Sequence, residues 1–483
     1  MPDVLFGQAY YLRFDAKLWR AQQPFAPLGT LYAAACLRQR GYDVAFFDAM
    51  LAESEAEWSR AVDRTRPRLA IIYEDSFNYL SKMCLLRMRE AAITMIRAAT
   101  TRGCAAVVSG SDATDHPDIY LSAGATAVVM GEGEVTLGEL TDTIIGRGPL
   151  DSVAGIAYRR DGAVRRTGAR PFLRNLDDLP RPAWDLVDIP RYRRIWQARH
   201  GYFAMNLATT RGCPFHCNWC AKPIYGQRYA VRTPLNVVSE IAWLEREYAP
   251  DQLSIVDDVF GLQPGWVEAF AQETARQGTG IPFRCLMRAD QIDRDIVSAL
   301  SAAECRMVWM GAESGSQRVL DAMEKGVRVE QIRAAARELQ RAGIQVGMFL
   351  QFGYPGEEWN DVQRTLALVR EIGPDDIGVS VSYPLPGTKF YERVRADLGA
   401  KRNWVDSDDL AMMYRATYRP EFYRVLHHVV HHDFRARQLA RRVKQLAARP
   451  SRLRLPDLRR IAAWAYHRTA LPIASLELRR LAR

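Results

Sequence analysis

The stretch TTRGCPFHCNWCAKP, residues 209–223, sets Cys213, Cys217 and Cys220 in the spacing C-x3-C-x2-C, with no fourth cysteine beside them. Its surroundings decide what kind of fold carries it. Upstream, FAMNLAT reads as a short apolar strand running straight into the stretch. Downstream, DQLSIVDD, FRCLMR, RMVWMGAE, QVGMFLQFG and DDIGVSVSYP read as strands, each separated from the last by a helix-length segment. Six strand–helix units predict a (β/α)6 partial TIM barrel over 200–395, with its chemistry at the carboxyl ends of the strands. The cysteines occupy the first of those ends.

Residues 1–145 alternate in the same way. PDVLFGQ, VAFFDA, RLAIIYE, AAVVSG and ATAVVMGEGE read as strands, with helices at 27–42, 53–65, 80–100 and 117–123. Short apolar strands alternating with helices predict a doubly wound, Rossmann-like parallel sheet. Such sheets bind ligands beyond the carboxyl ends of their strands. Here those ends carry Gly7–Gln8–Ala9, Tyr73–Glu74–Asp75–Ser76, Ser109–Gly110–Ser111–Asp112 and Met130–Gly131–Glu132. Residues 146–199 read as a connector, with a hairpin turning at Asp161-Gly162 and then a Pro-rich run. Residues 396–483 read as a helical, basic C-terminal region, and the chain as a whole as α/β.

At 483 residues, 48% of them hydrophobic and 25% charged, the chain is long enough for two to four soluble domains. No apolar run approaches the roughly 18 residues of a membrane span. Asp3 stands where a signal peptide wants positive charge, so a cytoplasmic protein is expected. Eight cysteines are too few for a disulfide framework, and clustered thiols in that compartment point to metal or redox chemistry. The net charge of +10 is local: from Arg419 onward there are 16 Arg and Lys against 4 Asp and Glu, while the rest carries 50 against 52. That distribution, with no recognisable nucleic-acid module, argues against nucleic acid as a partner.

Three thiolates at this spacing can hold three corners of a cubane [4Fe-4S] cluster and leave one iron without a protein ligand. An open iron can bind and reduce a substrate, whereas a fully ligated cluster only passes electrons. A zinc site made of the three cysteines and His216 is the alternative, although structural zinc usually takes paired C-x2-C hooks. Cys36, Cys84, Cys104, Cys285 and Cys305 fall in helix or strand patterns and are expected to be small core residues.

With its C-x3-C-x2-C on the loop after the first barrel strand, the chain resembles the radical S-adenosylmethionine superfamily. The resemblance implies that S-adenosylmethionine chelates the open iron, and that one electron cleaves it to methionine and a 5′-deoxyadenosyl radical. An external one-electron reductant of flavodoxin or ferredoxin type is implied as well. Trp219, the aromatic before the last cysteine, would offer its carbonyl to the adenine. GAESGSQRVL (311–320) resembles the segment that puts Glu313 and Ser314 near S-adenosylmethionine. FLQFGYPGEEW (349–359) resembles the one in which Gly353 lets backbone approach the adenosine. YPLPGTKFY (383–391) resembles the loop after the sixth strand, and Asp257 and Asp258 end the second strand, facing the site in relatives.

PLGTLYAAACLRQRGYDVAFFDA, VVSGSDATDHPDIYLSAGATAVVMGEGEVTLGEL and LDDLPRPAWDL resemble the cobalamin-binding domain and connector of one radical S-adenosylmethionine subclass. Together the two resemblances span about residues 1–395. They imply a cobalamin site lined by Tyr10, Ser76, Ser109, Gly110, Gly131 and Glu132. The Asp-x-His-x-x-Gly loop of other cobalamin proteins is missing, and His116 is the only histidine before residue 200, so cobalt would lack a histidine ligand from that motif.

The expected activity is methylation of an unactivated carbon in a small-molecule metabolite, lipid or tetrapyrrole. A radical cyclase or oxidase with the same cofactors, or a cofactor-binding sensor without turnover, are the other readings. In the tail, HHVVHH (427–432) pairs histidines at i,i+4 on a helix, as a metal site or a half-exposed face. RRIAAWAYHRTALPIASLELRRLAR alternates basic and apolar groups and could rest on an anionic membrane, making peripheral membrane association an expectation, or simply cap the barrel.

Overall fold

Two sheets dominate the computed structural model, which describes residues 1–83, 85–222, 224–399, 403–407, 409–447 and 455–482. The first contains β1 (Val4–Gly7), β2 (Val44–Phe46), β3 (Leu69–Tyr73), β4 (Ala105–Ser109), β5 (Ala127–Val129), β6 (Ile156–Arg160) and β7 (Ala163–Arg166), in the order β2-β1-β3-β4-β5-β6-β7. The first five strands pair in parallel. Their apolar runs have a physical cause: alternate residues enter opposite cores, because side chains along a strand alternate faces. Phe6, Ile71 and Val107 pack under the helices Leu28–Gln39 and Glu134–Ile145. Leu5, Ile72 and Val108 pack under Glu55–Thr65 and Leu86–Thr100.

The hairpin read as part of the connector extends this sheet, since β6 pairs antiparallel with β5. Asp161 and Gly162 both take positive φ at its tip. The helix expected through 80–100 is divided into Tyr79–Met83 and Leu86–Thr100, and the Leu86 amide, which opens the second helix, donates to the Trp404 carbonyl at 2.7 Å. Cys84 lies outside the described residues.

The second sheet contains β8 (Ala204–Leu207), β11 (Gln252–Ile255), β12 (Phe283–Met287), β13 (Cys305–Glu313), β14 (Gln345–Phe352) and β15 (Asp376–Val381), all parallel and in sequence order. This is the six-unit partial barrel. A small antiparallel pair, β9 (Thr210–Arg211) with β10 (Ala230–Val231), clamps the two ends of the cysteine loop. Cys104, Cys285 and Cys305 are buried and Cys36 half-buried, as small core residues. Two long helices, Pro420–Ala447 and Leu455–Leu481, pack on each other at the C-terminal side. One apolar core runs from Leu28 and Tyr32 of the first unit through Trp184 and Trp196 into the barrel, so the two sheets are joined by packing as well as by chain.

Candidate functional site

The cysteine loop is built by its neighbours before it is built by itself. Asp257, just beyond β11, is buried and faces the exit of β8: Oδ1 accepts from the Thr209 amide at 2.7 Å and the Thr210 amide at 3.0 Å, and the Thr209 hydroxyl donates to Oδ2. Burial pushes its carboxyl up to about 6, with these donors working against the rise. Asp257 therefore holds the backbone that enters the loop and is committed to that task.

Arg211 follows, its side chain buried and turned toward the first sheet. It pairs with Glu132 at 2.8 Å and with Glu134 at 2.6 Å, while the rings of Tyr225, Tyr32 and Phe77 lie 5.0, 5.6 and 5.8 Å away. Arg228 adds a second cation, 3.2 Å from Glu132. Gly212 has φ +78°, and a Cβ there would stand 2.5 Å from the Arg228 carbonyl, so only glycine makes this turn. The chain can then swing back with Cys213, Cys217 and Cys220 half-buried and free.

The far side of the loop is pinned by the barrel. Asn218 donates from its amide nitrogen to Met323 O at 3.0 Å and from Nδ2 to Ala322 O at 2.8 Å. It accepts from the Tyr354 hydroxyl at 2.8 Å, and its carbonyl accepts from the Phe390 amide at 2.9 Å. Arg288, at the end of β12, stacks 3.6 Å over Phe215, binds Asp290 through two contacts, and brings Nη1 to 3.9 Å from the Cys217 sulfur.

Desolvation raises Cys213 above its ordinary range and pushes Cys220 up to about 12. Thiols in such a place become thiolates only against a strong positive partner, and a metal centre is one. The described His, Cys, Asp and Glu side chains form no group of three placed to share one metal ion. Three cysteines with no fourth fit the three-point attachment of a cubane cluster.

A cavity of about 310 Å³ opens beside Cys217 and Cys220. His216, Lys222 and Gln227 line it from the loop itself and Thr388 and Lys389 from the segment after β15, while Asp115 reaches in from the short helix after β4. The site thus draws on both sheets. Burial, with Asp112 nearby, pushes the Asp115 carboxyl up to about 7.

Of the other residues singled out in the sequence, Glu313 ends β13 with φ +58° and pairs with Lys325 at 2.9 Å, both buried. Lys325 Nζ lies 6.0 Å from the Trp219 ring, whose Nε1 is buried with no hydrogen-bond partner among the described residues. Ser314 is fully buried, its hydroxyl shared with Thr365 and the Ser316 amide. Gly353 has φ +80°, and the close approach it permits is to Met412 and Tyr423, with its carbonyl accepting from the Tyr414 hydroxyl.

In the first sheet, Tyr10, Ser76 and Ser109 are buried along one carboxyl edge, and the Gly131 amide donates to Thr114 at 3.2 Å. Glu132 accepts from Arg211, Arg228 and the Leu173 amide. Glu74 sits between β1 and β4: Oε1 accepts from the Ala9 amide at 2.9 Å, and a Cβ on Gly110 would come within 2.8 Å of its Cγ. Its Oε2 is buried without a partner among the described residues, and burial pushes the carboxyl up to about 8. The void beside it, also lined by Ser111 and Tyr120, is only about 20 Å³.

Residues 207–369 match the model of the Radical SAM superfamily. The chain is 28% identical over 281 residues to an uncharacterized methyltransferase of Pyrococcus horikoshii, covering 58% of this chain and 60% of that protein. It is 27% identical over 331 residues to the anaerobic magnesium-protoporphyrin IX monomethyl ester cyclase of Synechocystis, covering 67% and 64%. The chain therefore spans less than two thirds of either relative. Among solved structures, the cobalamin-dependent S-adenosylmethionine radical enzyme OxsB, with aqua-cobalamin and S-adenosylmethionine bound, superposes with a TM-score of 0.73 at 15% identity, over 98% of this chain and 72% of that one. That likeness is one of fold.

Proposed function

Because residues 207–369 match the model of the Radical SAM superfamily, we propose that the chain is a cobalamin-dependent radical S-adenosylmethionine enzyme that methylates an unactivated carbon of a small molecule. One observation carries the reading: three free, half-buried cysteines share a loop that both sheets hold in place, and two of them, Cys217 and Cys220, line a cavity to which both sheets contribute. When bound, the [4Fe-4S] cluster would supply the electron that cleaves S-adenosylmethionine, and cobalamin the methyl group.

The chain's own residues do the rest. Cys213, Cys217 and Cys220 would hold the cluster, which would leave its fourth iron open to S-adenosylmethionine. Asp257 and Asn218 fix the two halves of the loop that carries the three cysteines. Trp219, Glu313 and Gly353 are the proposed contacts to S-adenosylmethionine, with Lys325 balancing the charge on Glu313. Ser314, bonded within the fold, shapes the turn that carries Glu313. An external reductant of flavodoxin or ferredoxin type would deliver the electron.

Cobalamin would take the carboxyl edge of the first sheet, between β1, β3 and β4. The donor set there fits a corrinoid without a histidine ligand: Tyr10, Ser76, Ser109, Gly110 and Gly131 line the edge, and the orphaned Glu74 Oε2 is a polar atom in want of a partner. With a void of about 20 Å³ beside Glu74, a corrinoid needs that side chain and the helix Tyr79–Met83 to move aside. A second reading, ring formation or oxidation with the same cofactors, is favoured by the similarity to the cyclase.

The test is anaerobic incubation of the reconstituted protein with S-adenosylmethionine, reductant and hydroxocobalamin. Methyl transfer gives S-adenosylhomocysteine together with 5′-deoxyadenosine, whereas a cyclase or oxidase gives only the latter. No corrinoid retained after gel filtration overturns the methyl-carrier reading. Loss of all 5′-deoxyadenosine in Cys217→Ala separates a catalyst from a sensor, which would never have formed it.

A further inference from the structure

The helix Leu455–Leu481 rests on the protein by one face. Leu478 is buried, and Leu471, Ala474 and Leu481 pack against the main core. His467 Nδ1 meets His432 Nδ1 of the helix Pro420–Ala447 at 2.8 Å. The opposite face carries Leu458, Tyr466, Ile473 and Leu476, which are 55%, 62%, 71% and 71% exposed. At about 100° per residue these four fall within an arc of about 80°, forming one apolar stripe about 27 Å long. Arg459 borders the stripe on one side, Arg468 and Arg479 on the other, and Arg480 lies in its last turn, all of them exposed.

We infer that this stripe is a docking surface for an anionic phospholipid bilayer. An exposed row of large apolar side chains suits the boundary between headgroups and acyl chains, and arginines along its borders reach the phosphates. The charge of the region complements such a surface: residues 419–483 carry 16 basic groups against 4 acidic ones, while the remainder of the chain is nearly balanced. The same charge opposes docking of a second copy, which would set arginines against arginines. No described helix is long and apolar enough to cross a membrane, so the contact is one of lying on the surface.

Flotation of the whole chain, purified anaerobically, with vesicles of phosphatidylcholine alone or mixed with phosphatidylglycerol tests this. The protein should float with the mixed vesicles only, less so as salt rises. Each of R459Q, R468Q, R479Q and R480Q should weaken binding about fivefold, equivalent to about 1 kcal/mol per basic residue near an anionic surface. The pair Ile473→Asp and Leu476→Asp should abolish binding with an unchanged melting temperature, since both side chains are exposed. Equal binding to neutral vesicles, no binding to the mixed vesicles at low salt, or a dimer in light scattering that the Asp pair dissolves would each overturn it.

Discussion

Replacing Arg211 with Met would strand the buried Glu134 carboxylate and leave Glu132 with only Arg228 and the Leu173 amide. In the native fold Glu132 and Glu134 lie 2.8 and 2.6 Å from the guanidinium, and the Arg211, Glu132 and Glu134 side chains are 2%, 5% and 2% exposed. Removing one partner from a buried ion pair costs about 3–5 kcal/mol, chiefly because the remaining charge keeps its desolvation penalty. This triad crosses from the turn after β5 and the start of the helix Glu134–Ile145 to β9, so the cost should appear as separation of the first sheet from the cysteine loop. Hydrogen exchange reads that opening locally, without assuming all-or-none unfolding of a multidomain chain. Protection of amides in 131–134 and 209–213 should fall between about 100-fold and several thousand-fold, the same free energy expressed as an equilibrium constant. Adding Glu132→Gln and Glu134→Gln should restore most of it, because neutral amides of the same shape leave no charge stranded. A fall of less than about fivefold in Arg211→Met, corresponding to about 1 kcal/mol, would refute the reasoning, as would a triple variant no better protected than the single one.

Gly212→Ala should lose iron, measured as metal per chain after anaerobic reconstitution, because a Cβ at φ +78° meets the Arg228 carbonyl at 2.5 Å. Burial raises the carboxyls of Glu74 and Glu357 from 4.5 to about 8. Since the folded values exceed the unfolded ones, that contribution to stability is complete below about pH 4.5 and disappears as pH rises through about 8, roughly 5 kcal/mol for each group. Melting temperatures of E74Q/E357Q should accordingly vary less with pH over that window than those of the parent. His427 and His431 are lowered from 6.5 to about 3 and about 4 by burial and by neighbouring positive charges. Their contribution is present above pH 6.5 and lost as pH falls toward those values, so H427Q/H431Q should flatten the acid limb of a thermal melt.

Much of this was legible in the sequence for identifiable reasons. Strands covered on both faces must be apolar throughout, which is why Leu69–Tyr73 and Ala105–Ser109 stand out in a chain read without coordinates. The three cysteines are local, so their spacing alone defined the loop. The parts that escaped are the long-range partners. Arg211 finds Glu132 across 79 residues, and Arg288 reaches Cys217 across 71; no local pattern links either pair. Asp115 enters the cavity from Ser111–Asp115, a helix too short to show apolar periodicity. Glu74 was legible as a strand end, but the fold of its side chain over Gly110 was not. Gly353 was legible as a strand-end glycine, but its neighbours Met412 and Tyr423 were not, because they come from the region where the sequence pattern is least regular.

The most direct measurement is iron content with electron paramagnetic resonance of the anaerobically reconstituted, reduced protein, before and after S-adenosylmethionine is added. The account predicts about four irons per chain, a cluster signal that changes on addition, and loss of both in Cys213→Ala, Cys217→Ala and Cys220→Ala. One tightly bound zinc with no iron, or a cluster whose signal ignores S-adenosylmethionine, would contradict it.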